Sequence, residues 1–128
     1  MNNQEKIRDF TDLNTWKEAH KLALAIYKAT DNFPREERYS LIDQLRRAGI
    51  SVTSNIAEGF SRNSYKEKIQ FYAMAQGSNT EIQNQLILSR DLGYISEENF
   101  RDLYENSVIV HKLINGLIKG ARKLDTHT

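Results

Sequence analysis

Cysteine is absent from the sequence, which excludes disulfides, thiolate nucleophiles and cysteine-ligated metal sites. Proline occurs once and glycine six times in 128 residues, so there is little of the turn chemistry that β-sheets need, and long helices are favoured. No apolar run approaches the roughly 20 residues that span a bilayer, and the first residues lack the apolar core of a secretory signal. We therefore expect a cytoplasmic protein with no membrane association.

Net charge is small as well. The 18 lysines and arginines nearly balance the 17 aspartates and glutamates, which leaves +1 at pH 7. The overall charge balance alone does not require a nucleic-acid partner. A chain of this length can bury a sizeable core, and we expect a single domain over residues 1–128.

Apolar residues recur at alternating steps of three and four, which predicts amphipathic helices. The predicted helices span about residues 14–33, 35–59, 64–92 and 96–124, with an irregular first turn in the second. Pro34 separates the first two helices. Gly59 and Gly93 are expected to end the second and third, and Ser64 and Ser96 are expected to cap the third and fourth. Short connections favour an all-α, antiparallel up-down-up-down four-helix bundle.

The second helix carries unusually many small side chains. Its apolar stripe is separated by small residues, which let neighbouring backbones approach closely. The stripe consists of Leu45, Ala48, Val52, Asn55 with Ile56, and Gly59. On the third helix, Gly77 and Ser78 interrupt a helical pattern, and glycine there costs about 1 kcal/mol relative to alanine. We expect a close crossing against the second helix to compensate for that cost.

Several segments together resemble one protein family. They are DLNTWKEAHKLALAIYKATDNFPREERYSL at 12–41, QLRRAGISVTSNIAEGFSR at 44–62, FYAMAQGSNTEIQNQL at 71–86 and DLGYI at 91–95. The combination of SNIAEG with A-x-GS-x-x-E is the specific part. The chain resembles, over roughly residues 9–119, the 23S rRNA intervening-sequence proteins, also called S23-type proteins. The accessory variability protein of diversity-generating retroelements is a related branch.

The resemblance implies a helical bundle that assembles as a ring, typically a pentamer. Some family members are encoded inside insertions in 23S ribosomal RNA genes, and the retroelement branch is similar to a nucleic-acid-binding partner of a reverse transcriptase. This sequence departs from the usual pattern at Gly49, where alanine is common, and at Gln76, where a basic residue often stands. The second departure removes a positive charge and weakens an RNA-contact role for the third helix.

An up-down bundle would gather positive charge at one end, because the second loop, the start of helix 1 and the end of helix 4 meet there. We call these residues the basic end: Lys6, Arg8, Arg62, Lys66, Lys68, Lys119, Arg122 and Lys123. Such a cluster is the footprint expected for phosphate binding. The alternative is that charged loops and helix dipoles alone explain it. Arg46 and Arg47 are further candidates for phosphate contact. The alternatives are a solvated face, or an ion pair to Asp43 or to a neighbouring subunit.

Three polar residues lie on or beside inward stripes, namely Asn55, Glu58 and Glu81. We expect them to be structural, with one of the glutamates paired to an arginine or a backbone amide across helices 2 and 3. No Glu-x-x-His pair, phosphate loop or nucleophile elbow occurs. We therefore expect no metal, no cofactor, no small-molecule substrate and no enzymatic activity.

Aromatic and excess apolar residues raise the question of partners. Five aromatic residues near loops or helix flanks would either stack on bases or plug the bundle or a subunit interface: Phe60, Tyr65, Tyr72, Tyr94 and Tyr104. Helix 3 is apolar over more than one stripe, and helix 4 carries extra apolar residues outside its main stripe, at Val108, Ile109, Leu113 and Ile118. A monomeric bundle helix needs only one apolar face, so a homo-oligomer is expected.

Two functional hypotheses follow. The first is a non-catalytic, oligomeric protein that binds RNA or DNA and is associated with 23S rRNA intervening sequences. The second is an oligomeric scaffold that binds a protein partner and has no nucleic-acid role. Binding of nucleic acid, and its loss on charge reversal at the basic end, would separate the two.

Overall fold

The computed structural model describes residues 6–125, and every regular element within that range is helical. Four long helices are present: α1, Asn14–Thr30; α2, Asp43–Ser61; α3, Tyr65–Asp91; and α4, Glu97–Asp125. A short 3-10 turn, Phe10–Asp12, precedes α1. A second 3-10 turn, Arg35–Glu37, and a π-helical turn, Arg38–Ile42, run directly into α2. The all-α fold is confirmed, and the first turns of the second helical segment are irregular as expected.

The four helices form a closed antiparallel bundle. Each helix packs against the next one in the chain, and α4 packs back against α1. The direction of α2 and α3 follows from their contacts, because Ser51 meets Ser78 whereas Gly59, further along α2, meets Tyr72, further back along α3. The up-down-up-down arrangement is therefore confirmed.

Apolar stripes from all four helices fill the core. On α2 the predicted stripe is confirmed, with Leu45, Ala48, Val52, Ile56 and Gly59 all buried. On α3 the buried face runs through Tyr72, Ala75, Asn79, Ile82, Leu86 and Ser89, whereas Phe71 and Ser78 are only partly buried. On α4 Ile118 belongs to the core, although the sequence placed it among the extra apolar residues outside the main stripe, and Leu124 is exposed.

Most helix boundaries follow local chemistry. The hydroxyls of Ser64 and Ser96 accept hydrogen bonds of 3.1 Å from the backbone amides three residues on, which confirms both caps. Gly93 has a φ of +79°, the left-handed conformation that lets a glycine end α3. Helix α2, in contrast, does not end at Gly59 but continues to Ser61.

Gly59 serves packing instead of helix termination. A Cβ atom built on it would lie 2.6 Å from Cε1 of Tyr72 and 3.1 Å from Cβ of Phe71. The missing side chain therefore lets the Tyr72 ring lie directly on the α2 backbone. Gly59 and Tyr72 are both buried.

The Gly77–Ser78 pair packs differently from the prediction. The hydroxyl of Ser78 lies 2.8 Å from that of Ser51, so a close crossing of α2 and α3 does occur here. Gly77 takes no part in it, because it is exposed and no heavy atom lies within 4 Å of where its Cβ would be. The expected packing role of Gly77 within one chain is therefore wrong, since the residue points away from α2.

The end of the bundle opposite the basic end is closed by a tyrosine. The Tyr94 hydroxyl donates a 2.9 Å hydrogen bond to Oε2 of Glu37, and its ring packs on Phe33 with centroids 5.4 Å apart. The hydroxyl of Ser40 also donates to Glu37, at 2.6 Å. The hydrogen bond from Ser40, and after it the one from Tyr94, stabilises the charged carboxylate and lowers the pKa of Glu37. The contact ties the α3–α4 loop to the turns before α2.

Within residues 6–125, no helix is both long and apolar enough to cross a bilayer.

Two glycine substitutions on α2 should have opposite effects on stability. Gly59→Ala should lower the free energy of unfolding by about 1–3 kcal/mol, because its methyl group would overlap the Tyr72 ring. Gly49→Ala should raise it by up to about 1 kcal/mol, because its methyl would meet Ala23 at an ordinary 3.5 Å and alanine is the better helix former. Urea unfolding of both variants measures the difference. A Gly59→Ala variant as stable as the wild type would contradict the proposed close contact.

The Tyr94–Glu37 contact should make stability depend on pH. The lowered pKa of Glu37 means that its contribution is present above the ordinary glutamate pKa and is lost as the pH falls through the folded-state value. Tyr94→Phe should therefore lower the free energy of unfolding at about pH 7, and the difference from the wild type should shrink near pH 3. Urea titrations at both pH values provide the test. An equal difference at both would show that the hydrogen bond to the charged carboxylate contributes nothing.

Candidate nucleic-acid interface

One end of the bundle brings together the elements that carry the basic end. The last turn of α2, the start of α3, the last turns of α4 and the segment before α1 line a single groove of about 320 Å³. We call it the end groove, and its lining residues are Ile7, Leu13, Phe60, Tyr65, Lys68, Tyr72, Gly116, Leu117, Gly120, Ala121 and Leu124. The basic residues predicted to share an end are therefore carried by elements that converge there.

Three cations of the basic end are fully available to solvent. The side chains of Lys66, Lys119 and Arg122 are exposed and make no hydrogen bond or ion pair within residues 6–125. Lys123, beside Arg122, is exposed too. Lys66 extends from the first turn of α3, and the other three from the last turns of α4. The side chains of Lys66, Lys119 and Arg122 can therefore reach an external anion without giving up a contact that the fold uses.

Two further cations of the same end are partly engaged by the fold. Arg62 pairs with Glu58 at 3.0 Å and covers the Phe71 ring, with its guanidinium carbon 4.5 Å from the ring centroid. Lys68 donates a 2.6 Å hydrogen bond to the carbonyl of Phe60 and so satisfies the end of α2. Partial burial lowers the pKa of Lys68. Replacing either residue would disturb the fold as well as the charge.

Arg46 lies elsewhere and fastens α1 to α2. Its guanidinium donates to the Thr30 hydroxyl at 2.9 Å, pairs with Asp31 at 3.0 Å and lies 4.6 Å from the Tyr27 ring centroid. Fifteen residues of helix separate it from Ser61, or about 22 Å along α2. The structure therefore places Arg46 away from the basic end and gives it a structural role, because its Nε and Nη2 donors already bind α1 and the residue that follows it.

Arg47 is exposed and pairs with Asp43 one helical turn away, at 3.0 Å. That is the ion pair expected as its alternative to phosphate contact. Exposed pairs of this kind are weak, so Arg47 remains a cation on the surface of α2, apart from the basic end.

Acidic residues moderate the basic end. Eight basic side chains share it with five acidic ones, Asp9, Asp12, Glu58, Glu67 and Asp125, which leaves a net charge of about three positive. The carboxylate of Asp12 is directed to the chain itself and accepts hydrogen bonds from the backbone amides of Arg8 and Asp9, at 2.8 and 3.3 Å. These hydrogen bonds lower the pKa of Asp12. The excess positive charge lies mainly along the start of α3 and the end of α4.

The polar residues expected between helices 2 and 3 are only partly there. Asn55 donates to the carbonyl and the hydroxyl of Ser51, which in turn contacts Ser78, so it belongs to a structural polar cluster. Glu58 and Glu81 are exposed. The expected pair across α2 and α3 is wrong, because Glu58 finds Arg62 one turn along its own helix and Glu81 lies on the outward side of α3.

The main row of polar contacts between helices, here called the polar seam, lies between α3 and α4. The sequence pattern did not predict it. Asn79, fully buried, donates a 2.8 Å hydrogen bond to the carbonyl of Ser107, and Gln83 donates to the Ser107 hydroxyl at 3.1 Å. Gln76 reaches the carbonyl of His111 at 3.1 Å. A strict three–four alternation from Tyr72 to Ser89 passes through position 79 and would have found it. This seam also explains Gln76, which serves helix packing.

The aromatic residues divide between the two ends. Phe60, Tyr65 and Tyr72 line the end groove. Tyr94 closes the opposite end against Phe33, and Tyr104 packs on Phe100 with ring centroids 5.4 Å apart. Among residues 6–125, no three histidine, aspartate or glutamate side chains are grouped as metal ligands would be.

Comparison with solved structures supports the fold. The chain is similar to the crystal structure of a protein of unknown function from the S23 ribosomal protein family of Bacteroides thetaiotaomicron. The two share 24% sequence identity with a TM-score of 0.74, over 82% of this chain and 98% of that one. At this identity the likeness shows the fold alone. Among curated proteins, no sequence matches this chain.

The family itself is shown by sequence. A model of the 23S rRNA-intervening sequence proteins matches residues 11–116, which run from the turn before α1 into the second half of α4. The resemblance found in the helix 2 and helix 3 motifs is thereby confirmed over most of the chain. This protein belongs to the 23S rRNA-intervening sequence protein family.

Proposed function

We propose that this chain is a non-catalytic, oligomeric nucleic-acid-binding protein associated with 23S rRNA intervening sequences, and that its basic end contacts phosphates. One observation carries the proposal. Lys66, Lys119 and Arg122 lie on elements that meet at one end, are exposed, and are not engaged by other residues of the described range. Cations that neutralise phosphates release counterions, which supplies most of the affinity of sequence-independent binding.

Assembly would multiply this weak interaction. Several large apolar side chains are exposed on the outer faces of the bundle, including Leu24, Ile50, Met74, Leu88 and Ile109, each between 44% and 59%. Burying them against sister chains would be favourable, and the family resemblance indicates a pentameric ring. A ring repeats the basic end in each subunit, so that contacts too weak singly bind together.

A protein-binding scaffold is the second candidate. The same exposed apolar side chains would serve a protein partner as well as a sister chain, and the overall charge of +1 favours neither class. Both proposals describe a cytoplasmic, oligomeric protein without catalytic activity. They differ in whether the cations of the basic end bind a ligand.

Charge reversal at the basic end should weaken the binding of nucleic acid. The triple variant Lys66→Glu, Lys119→Glu, Arg122→Glu should weaken binding of a fluorescent RNA or DNA oligonucleotide and flatten its salt dependence, because each lost phosphate contact lowers the slope by about one. Fluorescence anisotropy at rising salt measures both quantities.

A matched triple variant provides the control for that experiment. Lys28→Glu, Arg35→Glu, Arg101→Glu makes the same change in net charge on exposed residues at the opposite end of the bundle. This control variant should bind nucleic acid with nearly the affinity and the salt dependence of the wild type, because its basic end is intact. Equal losses in the two variants would show that overall charge matters and not the basic end. Absent or salt-independent binding by the wild type would favour the scaffold.

Oligomerisation has its own test. The wild type should sediment at micromolar concentration well above the 14.9 kDa of one chain, and at least one substitution among Leu24→Ser, Ile50→Ser and Ile109→Ser should reduce that mass. The helical circular dichroism should not change, because these side chains lie outside the core. A single species of monomer mass would refute the assembly.

A further inference from the structure

The end groove has walls of a different character from the rest of the surface. Phe60, Tyr65 and Tyr72 supply aromatic walls, and Leu117 and Ala121 supply apolar surface on α4. Lys68 is the one basic residue that lines it in the described chain. With a volume of about 320 Å³, it is large enough for a planar heterocycle.

Two glycines keep the groove open. Gly116 and Gly120 lie one helical turn apart and line the groove, and apart from the adjoining turns of their own helix no heavy atom lies within 4 Å of where a Cβ would be at either position. Glycine is a poor helix former, and neither position needs it for a turn or for packing within the chain. The two glycines expose helix backbone to whatever enters the groove.

Positive charge lies within this groove and on residues next in sequence to its lining. The ammonium of Lys68 lies 5.4 Å from the Phe60 ring centroid, so a cation and an aromatic face occur together inside the groove. Lys66 adjoins Tyr65, and Lys119 adjoins Gly120. An occupant should therefore combine a flat apolar face with negative charge on either side of it.

We propose that the end groove takes an unpaired base of single-stranded nucleic acid while Lys66 and Lys119 contact the flanking phosphates. The inference rests on the proposed function and narrows it from nucleic acid in general to single strands. Stacking on aromatic side chains within a positively charged groove is the general means by which proteins hold single strands. A duplex meets the cations but keeps the faces of its bases stacked, so the groove stays empty.

The experiment separates the contribution of the bases to binding from that of the phosphates. Binding of fluorescent oligothymidine is compared with an abasic oligonucleotide of the same length and with a duplex, for the wild type and Gly120→Leu. The leucine should fill the groove without altering charge. We expect it to weaken oligothymidine binding by roughly 5- to 150-fold, the effect of losing one base stack. Binding of the abasic strand and of the duplex, and all salt slopes, should not change.

Gly77→Leu is the matched control. Gly77 is also an exposed helical glycine with no heavy atom within 4 Å of a Cβ, but it lies outside the end groove. This variant should bind all three probes like the wild type. Tyr65→Ala is a second way to impair the groove, and it should reproduce the selective loss should Gly120→Leu fail to fold by circular dichroism.

The opposing outcomes are distinct. Salt-dependent binding that is equal for oligothymidine and the abasic strand would overturn the base site and leave the proposed function standing. A change in sedimentation of Gly120→Leu but not of Gly77→Leu would assign the groove to a subunit interface and overturn the inference. Failure of the wild type to bind any of the three probes would overturn the proposed function and this inference together.

Discussion

The close approach of α2 and α3 is the constraint on which the structure depends. The Tyr72 ring lies directly on the α2 backbone at Gly59. Nearer the middle of the two helices, the hydroxyls of Ser51 and Ser78 are in contact. Larger residues at these positions would separate the helices, because interiors pack too densely to absorb even a methyl group without rearrangement. The last turn of α2 and the first turn of α3 are thereby held side by side. The basic end and its groove exist because these two turns are adjacent.

The same region shows why cations near a helix end cannot be treated as one class. Lys68 and Arg62 are bound to the fold through a carbonyl, a carboxylate and aromatic rings, whereas Lys66 and Lys119 are not. Arg46 is the extreme case, with its donors distributed over α1. Neighbouring cations of the same type thus have different roles, since some stabilise the fold and others are exposed. The exposed ones are available for a ligand.

Periodicity was sufficient to predict the helices, their order and the core of α2, because an apolar stripe with small neighbours has few alternatives. It was insufficient on α3, where the buried face contains Asn79 and Ser89. A polar residue in a buried stripe is identifiable only from its partner, and the carbonyl of Ser107 is 28 positions away. The end groove could not be predicted either. It depends on the absence of side chains at Gly116 and Gly120, and its lining residues come from four separate segments. Aromatic Phe60, Tyr65 and Tyr72 could be named from the sequence, but their convergence could not.

A net charge of +1 conceals an uneven distribution of charge along the bundle. Basic side chains outnumber acidic ones where α2 meets α3. At the other end Glu36, Glu37, Glu97 and Glu98 are partly offset by arginines such as Arg35 and Arg101, so each chain has a modest electric dipole along the bundle axis. In a ring with rotational symmetry about an axis parallel to the helices, these dipoles would point the same way and add, whereas face-to-face dihedral stacking would cancel them. The choice of symmetry would therefore decide whether the assembled particle presents one cationic face or none.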